Sequence, residues 1–506
     1  MTMRALSAAT TAPRVPIGTA RAASRRRAPE RFAREAAVAI AGLALFAAPL
    51  PFLLRFDSTH VVTATLLGVL LCALTLASRR AGIIATTVFL AALGDYRRYA
   101  GFFEGYPESD PLLLVAPVAA LFLLGCAILE GRVHASTGTA KLVLALMTLM
   151  FLEIFNPLQG GLQVGFAGAL FYLVPLVWFW IGRAYPSAEF MRRFTLQVVL
   201  PIGLIATLWG LWQTRFGLLG FERQWVGVIG YGALYISDDV IRAIGFFNSS
   251  AEYQRYLLLS AVILLAAWLR DRSWSVLLWP IVCATVFLSA ARGPVVVLVG
   301  TTVLLWAVNA RTSLAWLPRA ALGAAIGLGL LVMSLAFLKT VPLGERFAPL
   351  VTRQVEGLLD PANQSKSTAT GHLLMIRESV VAGVTSPAGR GLGATTIAAD
   401  KYGARSTNAE FDAANVTLSL GIFGGLLYLA IVIGVYRKAL RWWRERRSFV
   451  ALATIGVLLV TFGAWLTGSE YSTAALVWFY IGAMDKLSVE QRIERVMKRA
   501  HSADHT

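Results

Sequence analysis

The chain has 506 residues, of which 57% are hydrophobic and only 15% charged, and its mean hydropathy is +0.65. A soluble domain carries about 25% charged residues, so this composition excludes an ordinary soluble enzyme and points to an all-α, polytopic membrane helix bundle. The net charge of +18 would suit a nucleic-acid partner, but the Lys and Arg cluster in short connections between apolar runs. There they set topology and attract anionic lipid, which argues against nucleic acid.

Residues 1–35 are rich in Ala, Ser, Thr and Arg, with Arg25, Arg26 and Arg27 in a row. This start shares the acid-poor, Arg-rich character of an organellar transit peptide, and reads better as a disordered basic cytoplasmic arm that fixes orientation. Fourteen apolar spans follow, at 36–54, 61–77, 81–94, 111–129, 142–155, 165–181, 195–213, 256–269, 274–289, 294–310, 320–338, 414–436, 450–466 and 471–483. Some are short for a bilayer core of roughly 30 Å, so 12–14 membrane helices are expected. With the N-terminus inside, the cytoplasmic connections hold 30 of the 46 Lys and Arg. Half of the other 16 lie in one long loop, where the positive-inside rule applies weakly. Both termini and the tail 485–506 are therefore expected on the cytoplasmic side of a bacterial inner membrane, with residues 339–412 forming a large periplasmic loop of short helices.

The three cysteines, Cys72, Cys126 and Cys283, fall within apolar runs and read as small buried hydrophobes. The five histidines are scattered, and no metal site or cofactor is implied. No Walker motif and no GxGxxG between a strand and a helix is present, so ATP-driven transport by this chain alone is not expected. No fixed-period repeat and no inverted pattern between the halves is visible.

The first outer segment of size, 214–251, mixes Phe216, Phe221, Trp225, Tyr231 and Tyr235 with Arg215, Arg223, Asp238, Asp239 and Arg242. Aromatics beside Arg suit a surface that meets lipid headgroups or sugar rings, or equally an interfacial belt. In LSAARGPVVVLVG, Arg292 sits between two apolar spans with Pro294 in the first turn of the next helix. An Arg at membrane depth costs roughly 2.5–3.5 kcal/mol on insertion scales. It either snorkels to the interface or grips an oxyanion pair bidentately.

Residues 339–412 carry the densest set of ionisable groups between apolar runs. GHLLMIRESVVAGV reads as a helix across the mouth of the bundle, bearing His372 and Arg377. His372 would suit proton transfer, or would simply be polar surface. TSPAGRGLGATT places Gly389, Gly391 and Gly393 at alternate positions around Arg390. Such a run either cradles an anion on backbone N–H groups or makes a flexible turn. Beyond it, Glu410 and Asp412 stand at the start of the next apolar span. There they cap a helix or act as a general base on a sugar hydroxyl.

Four of these pieces stand in a telling order: RAIGFFNSSAEYQRYL, LSAARGPVVVLVG, GHLLMIRESVVAGVTSPAGRGLG and FDAANVTLSLGIFGGLLYL. In that order and topology the chain resembles the O-antigen ligase and polymerase family over roughly residues 242–429. The resemblance implies a metal-independent glycosyltransferase that needs no cofactor and uses an undecaprenyl-diphosphate-linked glycan as donor. A chain-length regulator protein is then a candidate partner alongside membrane lipid. It further implies Arg242, Arg292, Arg377 and Arg390 as diphosphate-binding residues, and a base among Glu410, Asp412 and His372. The His-Asn pair that ligases carry before the helix following the long loop is absent; here the sequence reads Asn408-Ala409-Glu410-Phe411-Asp412. That departure favours a polysaccharide polymerase over transfer to lipid A-core. The alternatives are ligase-type transfer to another acceptor and a lipid-linked glycan flippase or transporter.

Overall fold

The computed structural model describes residues 30, 32–44, 47, 59–230, 232–237, 240–310, 316–341, 344–360, 363, 369–402, 406–407, 409, 411–466 and 470–503. Most of the expected basic arm therefore lies outside the described residues. Its last residues, 32–35, are already helical rather than extended.

The architecture is an all-helical bundle. Its helices are α1 (Thr59–Ala77), α2 (Arg79–Glu104), α3 (Leu112–Leu129), α4 (Gly138–Glu153), α5 (Leu162–Ala184), α6 (Ala188–Phe216), α7 (Gly220–Ile229), α8 (Ser250–Asp271), α9 (Trp279–Leu288) and α10 (Arg292–Val308). They continue with α11 (Trp316–Leu338), α12 (Ala348–Leu359), α13 (Ala369–Thr385), α14 (Ile397–Lys401), α15 (Asp412–Arg446), α16 (Phe449–Val460) and α17 (Tyr471–Ala503). One small antiparallel hairpin, β1 (Tyr235–Ser237) and β2 (Val240–Ile241), precedes α8. Local chemistry sets the helix starts. The side chains of Ser78, Thr137, Ser187, Ser249 and Ser448 each accept a backbone N–H from the first turn they cap.

Among the described residues, six helices are long and apolar enough to cross a membrane: α1, α3, α5, α6, α11 and α15. This is fewer than the fourteen apolar runs, for three reasons. The α4, α9, α10 and α16 helices are too short, α2, α8 and α17 carry charged residues within their length, and the run 36–54 lies partly outside the described residues. The outside of the bundle carries the same message. Only 6% of the α11 window is buried, and Leu322, Ile326, Leu330, Met333 and Phe337 are all exposed. A water-facing helix would not present that surface, whereas hydrocarbon covers it without cost.

The centre is formed by α5 against α17. Gly182 lies on the backbone of Phe479, and Gly482 on the backbone of Phe179, so neither glycine has room for a Cβ and the two helices cross in close contact. Trp178, Phe179, Trp465, Trp478 and Phe479 fill the space around that crossing.

Polar contacts gather the connections at two ends. At one, which we call the loop end, His60 meets Gly105 and Asp110, Lys401 meets Glu108 and Ser109, Asn156 meets Ala388, and Arg255 meets Glu470. At the other, the tail end, Arg79 pairs with Glu130, Arg192 with Asp271, Arg446 with Glu494, and Arg183 and Lys438 with Asp485.

Candidate functional site at the loop end

The segment that carries Arg242 is held from behind. Gln213 of α6 accepts the N–H groups of Ile244 (3.1 Å) and Gly245 (2.9 Å), and donates to Gly245 O and to Glu222. Arg98 of α2 is fully buried. It donates to the carbonyls of Gly94, Gly245 and Phe247 and lies over the Trp225 ring. These contacts fix the backbone leading from β2 into α8, so Arg242 is presented by a braced segment. The expected outer segment 214–251 is thus largely ordered, with α7 laying Trp225 and Val226 against Leu218, Leu234 and Ile244. Tyr231, Asp238 and Asp239 lie outside the described residues.

The tip between α9 and α10 packs onto that hairpin. Val240, Ala290 and Leu350 form one apolar cluster with Ile236. Ala290 adopts a φ of 54°, in the left-handed region that costs a non-glycine residue roughly 1–2 kcal/mol. The turn this makes lets Arg292 open α10. The fully buried Gln354 of α12 donates to Ala291 O at 2.9 Å, and Gly357 of α12 leaves open the space taken by the Arg292 guanidinium. Arg353, one turn before Gly357, stands within electrostatic reach of Arg292.

Beside the hairpin is a cavity of about 120 Å³, lined by Gln213, Thr214, Gly217, Arg223, Ile241 and Arg346. Arg242 directly follows the lining residue Ile241. Three stretches far apart in sequence, 214–242, 290–292 and 346–357, therefore converge and bring Arg223, Arg242, Arg292, Arg346 and Arg353 to one region. Coulombic attraction to an anion is strongest where such cations are preorganised.

The remaining predicted residues form a second group on α15. Helix α13 exists as expected. It packs on α15, with Gly383 against the Thr417 backbone, leaving Arg377 exposed and His372 half-buried. The glycine run does something other than cradle an anion. α15 breaks at Gly421 (φ 69°, ψ −173°), and the carbonyls of Leu418 and Ser419 accept the N–H groups of Arg390 (3.0 Å) and Gly391 (3.1 Å). Leu392 N donates to Glu153 O, and Gly393 N to Gln159 Oε1. With their backbone donors committed to protein acceptors, these residues seal the broken helix, and only the exposed Arg390 side chain is offered outward.

Asp412 also has a different setting from the one expected of a base. It is 1% exposed, and one carboxylate oxygen accepts from Tyr428 OH (2.8 Å), Leu466 N (3.0 Å) and Trp465 N. It ties the start of α15 to the turn after α16, which is a positioning task. Glu410 lies outside the described residues, as does Asn408.

Six further ionisable residues, Arg97, Arg98, Asp110, Glu252, Arg255 and Glu470, gain a place from the structure. Glu252 is fully buried and accepts from Ser472 N at 2.8 Å and from the Ser472 hydroxyl. Arg255 pairs with the buried Glu470 and donates to Val460 O. Burial pushes the Glu470 carboxyl above its ordinary range while Arg255 pulls it down. Arg97 donates to Asp110 at 2.5 Å and to Asn248 Oδ1 at 3.5 Å, and Arg98 braces the Arg242 segment. Together they make a charged seam along the ends of α2, α8 and α17. Their signal in the sequence was an ionisable residue at the margin of an apolar run, where a charge needs a partner or a purpose.

The chain matches no known family profile and no curated protein.

Proposed function

We propose that this protein is a membrane glycosyltransferase that polymerises, or transfers, undecaprenyl-diphosphate-linked oligosaccharide at the outer face of a bacterial inner membrane. The observation that carries the reading is the convergence of the Arg242 hairpin, the Arg292 tip, the turn bearing Arg346 and helix α12 with Arg353. Negative charge develops on the diphosphate as the sugar bond breaks, and fixed guanidinium groups there lower the barrier most.

In this reading the chain crosses the membrane twelve to fourteen times, the loop end faces the periplasm and both termini are cytoplasmic. Arg242 and Arg292 hold the diphosphate. Arg377 and Arg390, exposed on the α13 side, meet the incoming glycan or its phosphate. Since Asp412 is committed to the fold, the base that takes the proton of the acceptor hydroxyl is Glu410 or His372. The resulting C–O bond joins acceptor to donor sugar, and the lipid diphosphate leaves with the electron pair. Transfer to another acceptor and a chain-length regulator as partner are compatible with the same site.

The test is replacement of Arg242 and Arg292 singly by Ala in cells lacking the native copy. Single repeat units accumulating on the lipid carrier are the expected result. Long polymer surviving both changes would remove these residues from the site, and unflipped intermediates would point to transport instead.

A further inference from the structure

The tail end holds a cavity that the transfer reaction does not use. Its volume is about 520 Å³, and it opens between the C-terminal part of α15, the portion of α17 beyond Asp485 and the start of α4. Arg437, Lys438, Arg441 and Arg492 line it, against a single acid, Glu445. Arg183, Arg441 and Arg492 all stand within electrostatic reach of Lys438. Among the described residues, the buried counter-charge beside it is Asp485, shared among Lys438, Arg183 and the Thr137 hydroxyl, which donates to it at 2.7 Å. One carboxylate serves two cations, so the cavity keeps an excess of positive charge. The first residues of the 16-residue helix α4 also line it, adding the positive end of that helix's dipole.

The lining is not uniformly polar. Gly434, Trp442, Val489 and Ile493 supply an apolar side. A freely soluble anion has no use for that surface, whereas a molecule with a phosphate head and hydrocarbon tails matches both parts. We propose that this cavity binds the phosphate-bearing headgroup of an acidic phospholipid, with guanidinium groups of α15 and α17 on the phosphate oxygens and the acyl chains leaving along the apolar side. Basic pockets among helix ends take such headgroups by charge and by bidentate hydrogen bonding. Occupancy would lock α15 to α17, and so secure two of the helices that support the loop-end site. The inference stands without the glycosyltransferase reading.

The test uses the full chain, purified in detergent and returned to nanodiscs of phosphatidylcholine alone or with one-fifth phosphatidylglycerol or cardiolipin. Thermal unfolding and retained phospholipid, the latter by mass spectrometry, are both read. The variants are Arg437→Gln with Arg441→Gln, and Arg492→Gln. A control that removes at least as much positive charge carries Arg132→Gln, Arg272→Gln and Arg319→Gln, at residues that do not line the cavity. The expected result is a rise in unfolding temperature with acidic lipid for the native chain and the control. The cavity variants should lose that rise and retain about tenfold less acidic lipid. Equal retention by native and cavity-variant chains overturns the proposal. Protection by inorganic pyrophosphate alone, with none from acidic lipid, overturns the lipid assignment and makes the ligand a soluble anion.

Discussion

Gly357 lies directly against the guanidinium of Arg292, so that a Cβ added at residue 357 would occupy the position of the Arg292 side chain. The glycine sits inside α12, where its missing side chain is otherwise a cost, since Gly is about 1 kcal/mol worse than Ala in a helix interior. A position that gives up helix propensity to leave room for a cation is a position where stability and activity separate.

Gly357→Ala is therefore expected to fold as well as the native chain, or to gain up to about 1 kcal/mol from propensity. Displacing the Arg292 guanidinium should lower polymer formation at least tenfold. Thermal unfolding in detergent and glycan length in cells measure the two effects. Normal polymer from a chain with Ala at 357 would separate Arg292 from the reaction.

Asp412→Asn keeps the shape and removes the charge from an oxygen that accepts three donors. Loss of stability by about 1–3 kcal/mol is expected, since hydrogen bonds to a charged group are stronger than neutral ones and the donors stay buried. Activity should fall only in proportion to folded protein. A variant that unfolds at the native temperature yet makes no polymer would restore Asp412 as the base.

Gly421→Ala should be among the most damaging single changes. The left-handed backbone costs an L-residue about 1–2 kcal/mol. A Cβ there would also meet the Pro387 carbonyl, which is backbone and unable to turn away. The expected outcome is loss of folded protein from the membrane fraction, read by size-exclusion chromatography in detergent. Gly434→Ala, on the same helix with open space around it, should have little effect.

Acid should loosen the contact between α2 and α3. Burial opposes ionisation of Asp110, but His60, Arg97 and the Leu112 N–H outweigh it and hold the carboxyl below its ordinary range. A depressed folded-state value means that the stabilisation is present above the unfolded value, about 3.9, and is lost as pH falls through the folded one. Unfolding temperature should therefore drop below about pH 4 in the native chain, and the Asp110→Asn chain should start lower and drop less. Parallel pH profiles would show that Asp110 contributes nothing to this dependence.

Much of the outline was legible in the chain itself. Apolar run length announced a helical membrane protein, because hydrocarbon must be matched residue by residue along each helix. Arg242, Arg292 and the helix of 369–385 stood out because a charge or an amphipathic turn beside an apolar run is a local signal. What remained hidden involves partners distant in sequence. The break at Gly421 reads locally as one more glycine in a helix; it becomes a break only because Arg390 and Gly391 supply the donors that satisfy the exposed carbonyls. Asp412 reads as a capping carboxylate or a base, and its commitment to Trp465, Leu466 and Tyr428 is visible only once α15 and α16 are packed. Asp485 and Glu470 were inconspicuous in sequence, since their cations lie at Arg183, Lys438 and Arg255. Sequence by itself determined which segments prefer hydrocarbon and where charge accumulates, since both follow from transfer free energies of individual residues. The tertiary structure alone decided which charges neutralise one another and which arginines converge, because Coulombic and hydrogen-bond energies depend on distances that no local pattern encodes.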